Sequence, residues 1–300
     1  MGDYDRRSFV FDGLDASLHT LPARDLGAAL TGLDAIISTV LMTLETGKIQ
    51  KQKPRKPSLI LSVSEPKAGS YDIGWLTGIA PGLLPLWPSL TQAIQSKFVE
   101  HFVNFVMLWF GGRRREADET MEKMLDILSE SMAREHEQRH SEREAVYTDR
   151  QRERESMRLL LQGQAQSLHP AARQAITPVG RSATSFHMGG RGDEGLAQID
   201  EPTADAIRAK ETLEVSDRLD MTFRAEGLRQ QRRTMFVYDP EDEEEKRTFS
   251  VTISDPAFDQ PHNAYITALA EDRPITLTGK TTRLPDGRIK NFYAIDARLE

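Results

Sequence analysis

Ser8-Phe9-Val10-Phe11-Asp12-Gly13 decides the reading of the first domain. Three β-formers in a row stopped by Asp-Gly read as a strand and a turn. Downstream, Pro22 suits the first turn of a helix, where its missing N–H costs nothing. Leu26, Leu30, Leu33, Ile37, Val40, Leu41 and Leu44 then recur at helical spacing, and Gly47 supplies a C-cap. Lys48 to Pro57 is basic and proline-broken, hence a loop. Leu59-Ile60-Leu61-Ser62-Val63 reads as a second strand, and Glu65-Pro66-Lys67-Ala68-Gly69 as a turn. Tyr71, Ile73 and Trp75 alternate with Asp72 and Gly74, a strand of period two that completes a hairpin. A strand, an amphipathic helix and a hairpin predict a small two-layer α/β domain.

Leu76 to Pro88 is apolar but punctuated by Gly78, Pro81, Gly82, Pro85 and Pro88, so no regular element is expected there. From Ser89 a helix is expected, with Leu90, Ile94, Phe98, Phe102, Phe105, Val106 and Trp109 on one side and Gly111-Gly112 at its end. Residues 113–162 are helix-forming and densely charged with mixed signs. Met121, Leu125, Leu128 and Met132 extend an apolar stripe that lapses until Met157, Leu160 and Leu161. A straight helix of that length would run about 75 Å, so it either projects into solvent or folds back on itself.

Residues 169–200, with Pro170, Pro178 and the glycine cluster Gly189-Gly190-Arg191-Gly192 to Gly195, read as a linker. A short helix follows from Pro202 to about Lys210. Six strands are then expected: Met221–Ala225, Thr234–Tyr238, Thr248–Ile253, Ala264–Ala268, Ile275–Thr278 and Ile289–Ala294. An acidic tip, Asp239 to Arg247, joins the second to the third. That spacing suggests a small SH3-like or OB-like β-barrel. The expected class is therefore α+β: an α/β domain over 1–168 with its helical extension over 113–162, a linker over 169–200, and a barrel over 201–300.

The chain has 300 residues, no cysteine and a net charge of −7. Cysteine-free composition excludes thiolate zinc sites, disulfides and cysteine nucleophiles and fits a reducing compartment. The polar start, Met1 to Arg7, lacks the apolar stretch of a secretory signal, and no apolar run suggests a membrane span. The expected location is cytoplasmic. The net charge speaks against wholesale attraction to phosphates, but leaves room for a local basic patch.

One motif invites a catalytic reading. His136-Glu137-Gln138-Arg139-His140 satisfies H-E-x-x-H, the helical zinc motif with a glutamate base. Its neighbours Glu135, Glu142 and Arg143 are those of a solvated face, and a third ligand is required. Glu153 would reach it only if the helix doubled back. We read the match as chance and expect no metal, no cofactor and no enzymatic activity. Gly189 to Gly195 lacks the Lys-Ser/Thr of a P-loop, and Ser182 lacks the second glycine of a nucleophile elbow.

With these residues in view, the chain resembles an uncharacterised bacterial and prophage-associated family with two domains of unknown function. The resemblance is carried by Phe11-Asp12-Gly13 through His19, by Glu65-Pro66-Lys67-Ala68-Gly69-Ser70-Tyr71, and by Pro178-Val179-Gly180-Arg181-Ser182. In the second domain it is carried by Asp200-Glu201-Pro202-Thr203-Ala204-Asp205-Ala206-Ile207 and by Asp255-Pro256-Ala257-Phe258. It implies an α/β first domain and a β-barrel second domain and carries over no catalytic residue. Prophage association suggests phage–host conflict by analogy.

The leading expectation is a non-enzymatic oligomeric scaffold or binding protein. Its interface with a second copy, or with a protein partner, would comprise Leu83, Leu84, Leu86, Trp87, Phe98, Phe102, Phe105 and Trp109. The first alternative is single-stranded nucleic-acid binding through the barrel by Arg232, Arg233, Lys280, Arg283, Arg288 and Lys290. Arg229 and the aromatics Phe236, Phe292 and Tyr293 stand nearby. The second is membrane disruption by the 89–110 helix, whose aromatic face is followed by Arg113-Arg114-Arg115; a helix packed on the N-terminal sheet needs the same face.

Overall fold

The computed structural model describes residues 7–18, 20–46, 48–50, 71–75, 92–137, 145–188, 196–209, 212–240, 247–285 and 287–299. They form two compact units, Met1–Phe110 with Arg114–Ile207, and Gly111–Arg113 with Arg208–Glu300.

The first unit opens with β1 (Arg7–Asp12), a 3-10 turn (Leu14–Leu18) and α1 (Ala23–Thr46), as the sequence suggests. β2 (Tyr71–Trp75) pairs antiparallel with β1, Phe9 facing Ile73. The strand expected at 59–63 lies outside the described residues, as do Gly47 and the glycine cluster. β3 (Ser185–Met188) pairs with the other edge of β1, and β4 (Ile199–Asp200) with β3. The sheet order is β2-β1-β3-β4. Phe11 and Phe186 meet across β1 and β3 at 5.0 Å between ring centroids, and these rings join the helices in one core.

α2 (Gln92–Phe110) is buried nearly all round from Phe98 to Leu108, the pattern of a central rather than a surface helix. The polar residues Glu100, His101 and Asn104 of this helix are buried with its apolar ones. In the amide orientation that satisfies both groups, Asn104 donates to the carbonyl of Ala197 at 3.2 Å and accepts from its N–H at 3.3 Å.

The charged stretch folds back on itself. It is two helices, α3 (Arg114–Glu137) and α4 (Ala145–Gln166), running antiparallel. Arg154 bonds Glu122 at 2.6 Å and Asp126 at 2.9 Å, and Arg158 meets Glu122 at 3.5 Å. Met121, Met124, Leu125 and Leu128 of α3, with Leu161 and Ala165 of α4, belong to the core.

Residues 169–200 are not a linker. They hold α5 (His169–Ala175), β3 and β4, and Ala172, Ala175, Ile176, Val179 and Phe186 are buried in the first core. Pro170 does not break the chain here: it starts α5 at its first turn, where it is tolerated. α6 (Glu201–Arg208), expected to open the second domain, packs into the first through Ala204 and Ile207.

The second unit is a sheet of β5 (Glu214–Val215), β6 (Leu219–Phe223), β7 (Ala225–Arg229), β8 (Thr234–Tyr238), β9 (Thr248–Ile253), β10 (Ile275–Arg283) and β11 (Ile289–Leu299). The order is β5-β10-β11-β9-β8-β7, with β6 also on β10, and β11 runs parallel to β9. The expected barrel is not closed by strand pairing, since β7 pairs with neither β5 nor β6; the two edges are linked through the chain itself, Arg224 alone joining β6, on β10, to β7, on β8. The expected strand at Ala264–Ala268 is instead α7 (Ala264–Ala270). Asn263 caps it, its side chain accepting from the N–H of Ile266 at 2.9 Å, and Tyr265 and Ala268 enter the core. A helix, rather than a closing strand, covers the inner face, whose side chains include Phe223, Met235, Val251, Leu277 and Phe292.

Candidate nucleic-acid interface

The opposite, outer face of this sheet follows from strand alternation. Residues one step from the buried Met235, Val251 and Phe292 lie on that face: Thr234 and Phe236 on β8, Ser250 and Thr252 on β9, Asn291 and Tyr293 on β11, of which Tyr293 is itself covered, only 5% exposed. The strand register sets them in rows. Lys280 pairs with Tyr293, Tyr293 with Thr252, Thr252 with Thr234, and Thr234 with Arg229. Four strand spacings separate the ends of that row, about 19 Å. The next row joins Asn291, Ser250 and Phe236 to Gly227. There Ser250 donates to Asn291 Oδ1 at 2.7 Å, and Asn291 Nδ2 donates to Thr252 Oγ1 at 3.1 Å.

Gly227, opposite Phe236, has no side chain to cover the ring. The guanidinium of Arg229 lies over it instead, 4.9 Å from the centroid. Arg229, Gln230, Gln231 and Arg232 are all exposed and line a hollow of about 550 Å³ at the β7–β8 turn. Among the described residues no carboxylate pairs with Arg229 or Arg232.

The basic residues expected to act together are divided. Arg283 and Arg288 flank the β10–β11 turn, where Arg283 Nη1 donates to Gly287 O at 2.7 Å, and Lys290 begins β11 beside them. Through the pairing of Asn291 with Ser250 and of Tyr238 with Thr248, that turn stands at the Tyr238 end of the sheet. Arg232 precedes Thr234, at the other end of β8. Lys280 joins the Arg229 row. Arg233 is set apart from the others: its guanidinium is paired with Asp259 at 2.7 Å. Phe292 is a core ring and Tyr293 is buried, which leaves Phe236 as the accessible aromatic of those singled out. Arg229, now the central cation of the site, was one basic residue among several in the sequence, because only register shows which arginine overlies which ring.

The other sites resolve differently. Phe98, Phe102 and Phe105 are completely buried in the chain's own core, so these rings are not a partner or membrane surface. Core packing explains their spacing. Trp109 is half-buried, 5.6 Å from Phe105, with the Arg114 guanidinium 3.9 Å above its ring. Leu83, Leu84, Leu86 and Trp87 lie outside the described residues. His136 and Glu137 end α3, and the rest of the H-E-x-x-H match lies outside the described residues. Among the described residues no three His, Asp or Glu side chains group as a metal site. One helical window, Ala23–Leu44, is long and apolar enough to cross a membrane by length and composition. It is 56% buried within the fold, as a core helix is.

Of the phrases that carry the resemblance, Glu65 to Ser70 lies outside the described residues; the others are structural joints. The Asp12 carbonyl accepts from the N–H and Oγ1 of Thr184 at 2.7 and 2.9 Å, and the Ser182 carbonyl accepts from the Ala16 N–H at 3.0 Å. Gly13, at φ +78°, leaves no room for a side chain against Thr184. Asp200 Oδ1 caps α6 by accepting from Thr203 Oγ1 at 2.6 Å and from its N–H at 3.3 Å. Asp255 Oδ1 accepts from the Ala257 N–H at 2.8 Å.

The chain is thus a two-domain α+β protein with a mixed sheet and a covering helix as its second domain. A domain of unknown function, DUF7946, matches residues 8–208, and a family of unknown function, DUF7947, matches residues 217–298. The chain belongs to the DUF7946 family, whose model covers two thirds of it, and carries a DUF7947 match in its second domain. The boundary between them falls where the two structural units divide. No curated protein and no solved structure matches the chain.

Proposed function

We propose that this chain is a non-enzymatic binding protein that takes a single strand of nucleic acid across the outer face of its C-terminal sheet. The observation that supports this reading is the Arg229 guanidinium stacked on Phe236, beside Arg232 and in one row with Lys280. An aromatic face accepts a base of any sequence, and flanking guanidiniums accept the phosphates. Tyr238 and Thr248, which bracket the acidic 239–247 connection, stand at the opposite end of β8 from Arg232, so the acidic run enters the sheet away from the site. A role in the cytoplasm, in phage–host conflict, suits a protein that grips unpaired strands.

Fluorescence anisotropy with a labelled thymidine oligonucleotide tests the reading. Affinity should fall steeply with salt, and Phe236→Ala should weaken binding by about tenfold or more. Arg229→Ala/Arg232→Ala should both weaken binding and flatten the salt dependence. Absent or salt-insensitive binding sinks it.

A second reading, self-association as an oligomeric scaffold, is favoured by Leu14 and Leu18. They are 53% and 73% exposed on the turn after β1, and Leu14 is held at φ +48°. Sedimentation equilibrium decides it: a monomer at micromolar concentration, or an oligomer indifferent to Leu14→Ser/Leu18→Ser, removes it.

A further inference from the structure

The turn that carries Arg229 and Arg232 is fastened from behind by its neighbour. Arg233 takes a left-handed backbone, φ +48° and ψ +46°, which a non-glycine residue adopts only when its surroundings hold it there. The surroundings are explicit. The Arg233 N–H donates to Gln230 O at 3.1 Å and its carbonyl accepts from the Ile253 N–H at 2.8 Å. Nε donates to Ile253 O at 3.0 Å, Nη2 to Asp255 O at 2.5 Å, and Nη1 to both carboxylate oxygens of Asp259 at 2.7 Å. The guanidinium also lies 5.2 Å from the Phe258 ring centroid. Asp259 is itself on the short 3-10 turn Pro256–Asp259, which Asp255 caps.

We infer that Asp259, acting through Arg233, is a positioning residue for strand binding: an acidic side chain on which recognition of an anionic ligand depends. The inference rests on the reading proposed above. Simple electrostatics predicts the opposite effect, since removing a carboxylate raises the attraction for phosphate. The geometry opposes that expectation. Without Asp259 the Arg233 fork loses its two charge-assisted bonds. The left-handed turn is then held by fewer contacts, and Arg229 and Arg232 no longer meet the strand in fixed positions. An ordered site binds more tightly than one that must be ordered on binding.

The test compares the 300-residue wild-type chain with Asp259→Asn and Asp259→Glu, using the labelled thymidine oligonucleotide at one fixed salt concentration. Hydrogen exchange is followed at the amides of 229–234. The expected result is that Asp259→Asn, although one charge more positive, binds several-fold more weakly and exchanges faster across the turn. Asp259→Glu, which retains the carboxylate, should recover most of both. Equal or tighter binding by a folded Asp259→Asn, with unchanged exchange, overturns the inference. Should the wild type itself not bind the oligonucleotide, the strand-binding reading and the role of Asp259 in it both fall. Faster turn exchange in Asp259→Asn would then show that the fastening is real but serves the fold alone. Weak binding by both Asp259→Asn and Asp259→Glu, with wild-type exchange in each, also overturns the inference, because the turn would be intact.

Discussion

Tyr265 donates its phenolic hydroxyl to Oδ2 of Asp255 at 3.1 Å inside the core of the second unit, where both residues are buried. Burial, and the neighbouring Asp255 charge, push the Tyr265 hydroxyl well above its usual range, because its ionised form would sit dry beside a carboxylate. An acid with a raised folded-state pKa holds its proton more tightly folded than unfolded. Its contribution is fully present below the unfolded tyrosine value of about 10 and is lost as pH rises above it, by up to about 1.4 kcal/mol per pH unit. Urea unfolding between neutral and strongly alkaline pH should show a steeper loss in wild type than in Tyr265→Phe. At neutral pH Tyr265→Phe should cost about 1–2 kcal/mol for the lost bond. Parallel alkaline profiles would contradict this account.

Gly32 sits on α1 where the chain crosses α5. A Cβ there would lie 2.4 Å from both the Ala171 carbonyl oxygen and the Ala175 nitrogen. These are backbone atoms with nowhere to go, so Gly32→Ala must push the helices apart and should cost about 2–3 kcal/mol. Gly27, one and a half turns earlier, has nothing within 4 Å of its added Cβ. Gly27→Ala should stabilise by about 0.5–1 kcal/mol. Thermal melts of the two variants should move in opposite directions.

Gln164 is wholly buried in α4 with every polar atom in use. Oε1 accepts from Thr43 Oγ1 at 2.8 Å and from the Gln50 N–H at 2.6 Å, while Nε2 donates to Gln50 O at 3.1 Å and Ser167 Oγ at 2.9 Å. Gln164→Leu has similar volume but strands the Gln50 backbone. It should destabilise by about 2–3 kcal/mol, measured by denaturant titration, more than the Gln→Leu change would cost on the exposed face of the same helix.

The ion pairs of Arg154 and Arg158 across α3 and α4 lie in partly solvated positions, and Glu122 and Asp126 push the Arg154 guanidinium still higher than usual. Such pairs contribute about 1 kcal/mol or less each. Arg154→Ala/Arg158→Ala should therefore lower the melting temperature modestly at low salt and scarcely at roughly 1 M salt, where the Debye length is about 3 Å. A salt-independent loss would mean that the arginine stems, not their charges, hold the hairpin.

The sequence by itself determined the elements whose signal is local. The Phe9-Val10-Phe11 strand ends at Asp12, α1 spans its apolar repeat, and Tyr71–Trp75, Thr234–Tyr238 and Thr248–Ile253 are strands. In each case alternation or helical period, with a Gly, Pro or Asp stop, leaves one solution. Tertiary structure decided what local signals leave open. Residues 113–162 double back because Met121, Leu125 and Leu128 of α3 and Leu161 and Ala165 of α4 are buried in one core, with Arg154 and Arg158 meeting carboxylates some thirty residues earlier across the pair. Ala264–Ala270 is a helix because Asn263 caps it and the sheet presents an uncovered apolar face for Tyr265 to fill. Arg233 and Arg229 look alike in the sequence, four residues apart on one turn. With its left-handed backbone Arg233 gives its guanidinium to Asp259, while the register of β7 on β8 lays the other over Phe236. Which cation is structural and which is offered to a ligand was fixed by partners distant in the chain, and no local pattern encodes them.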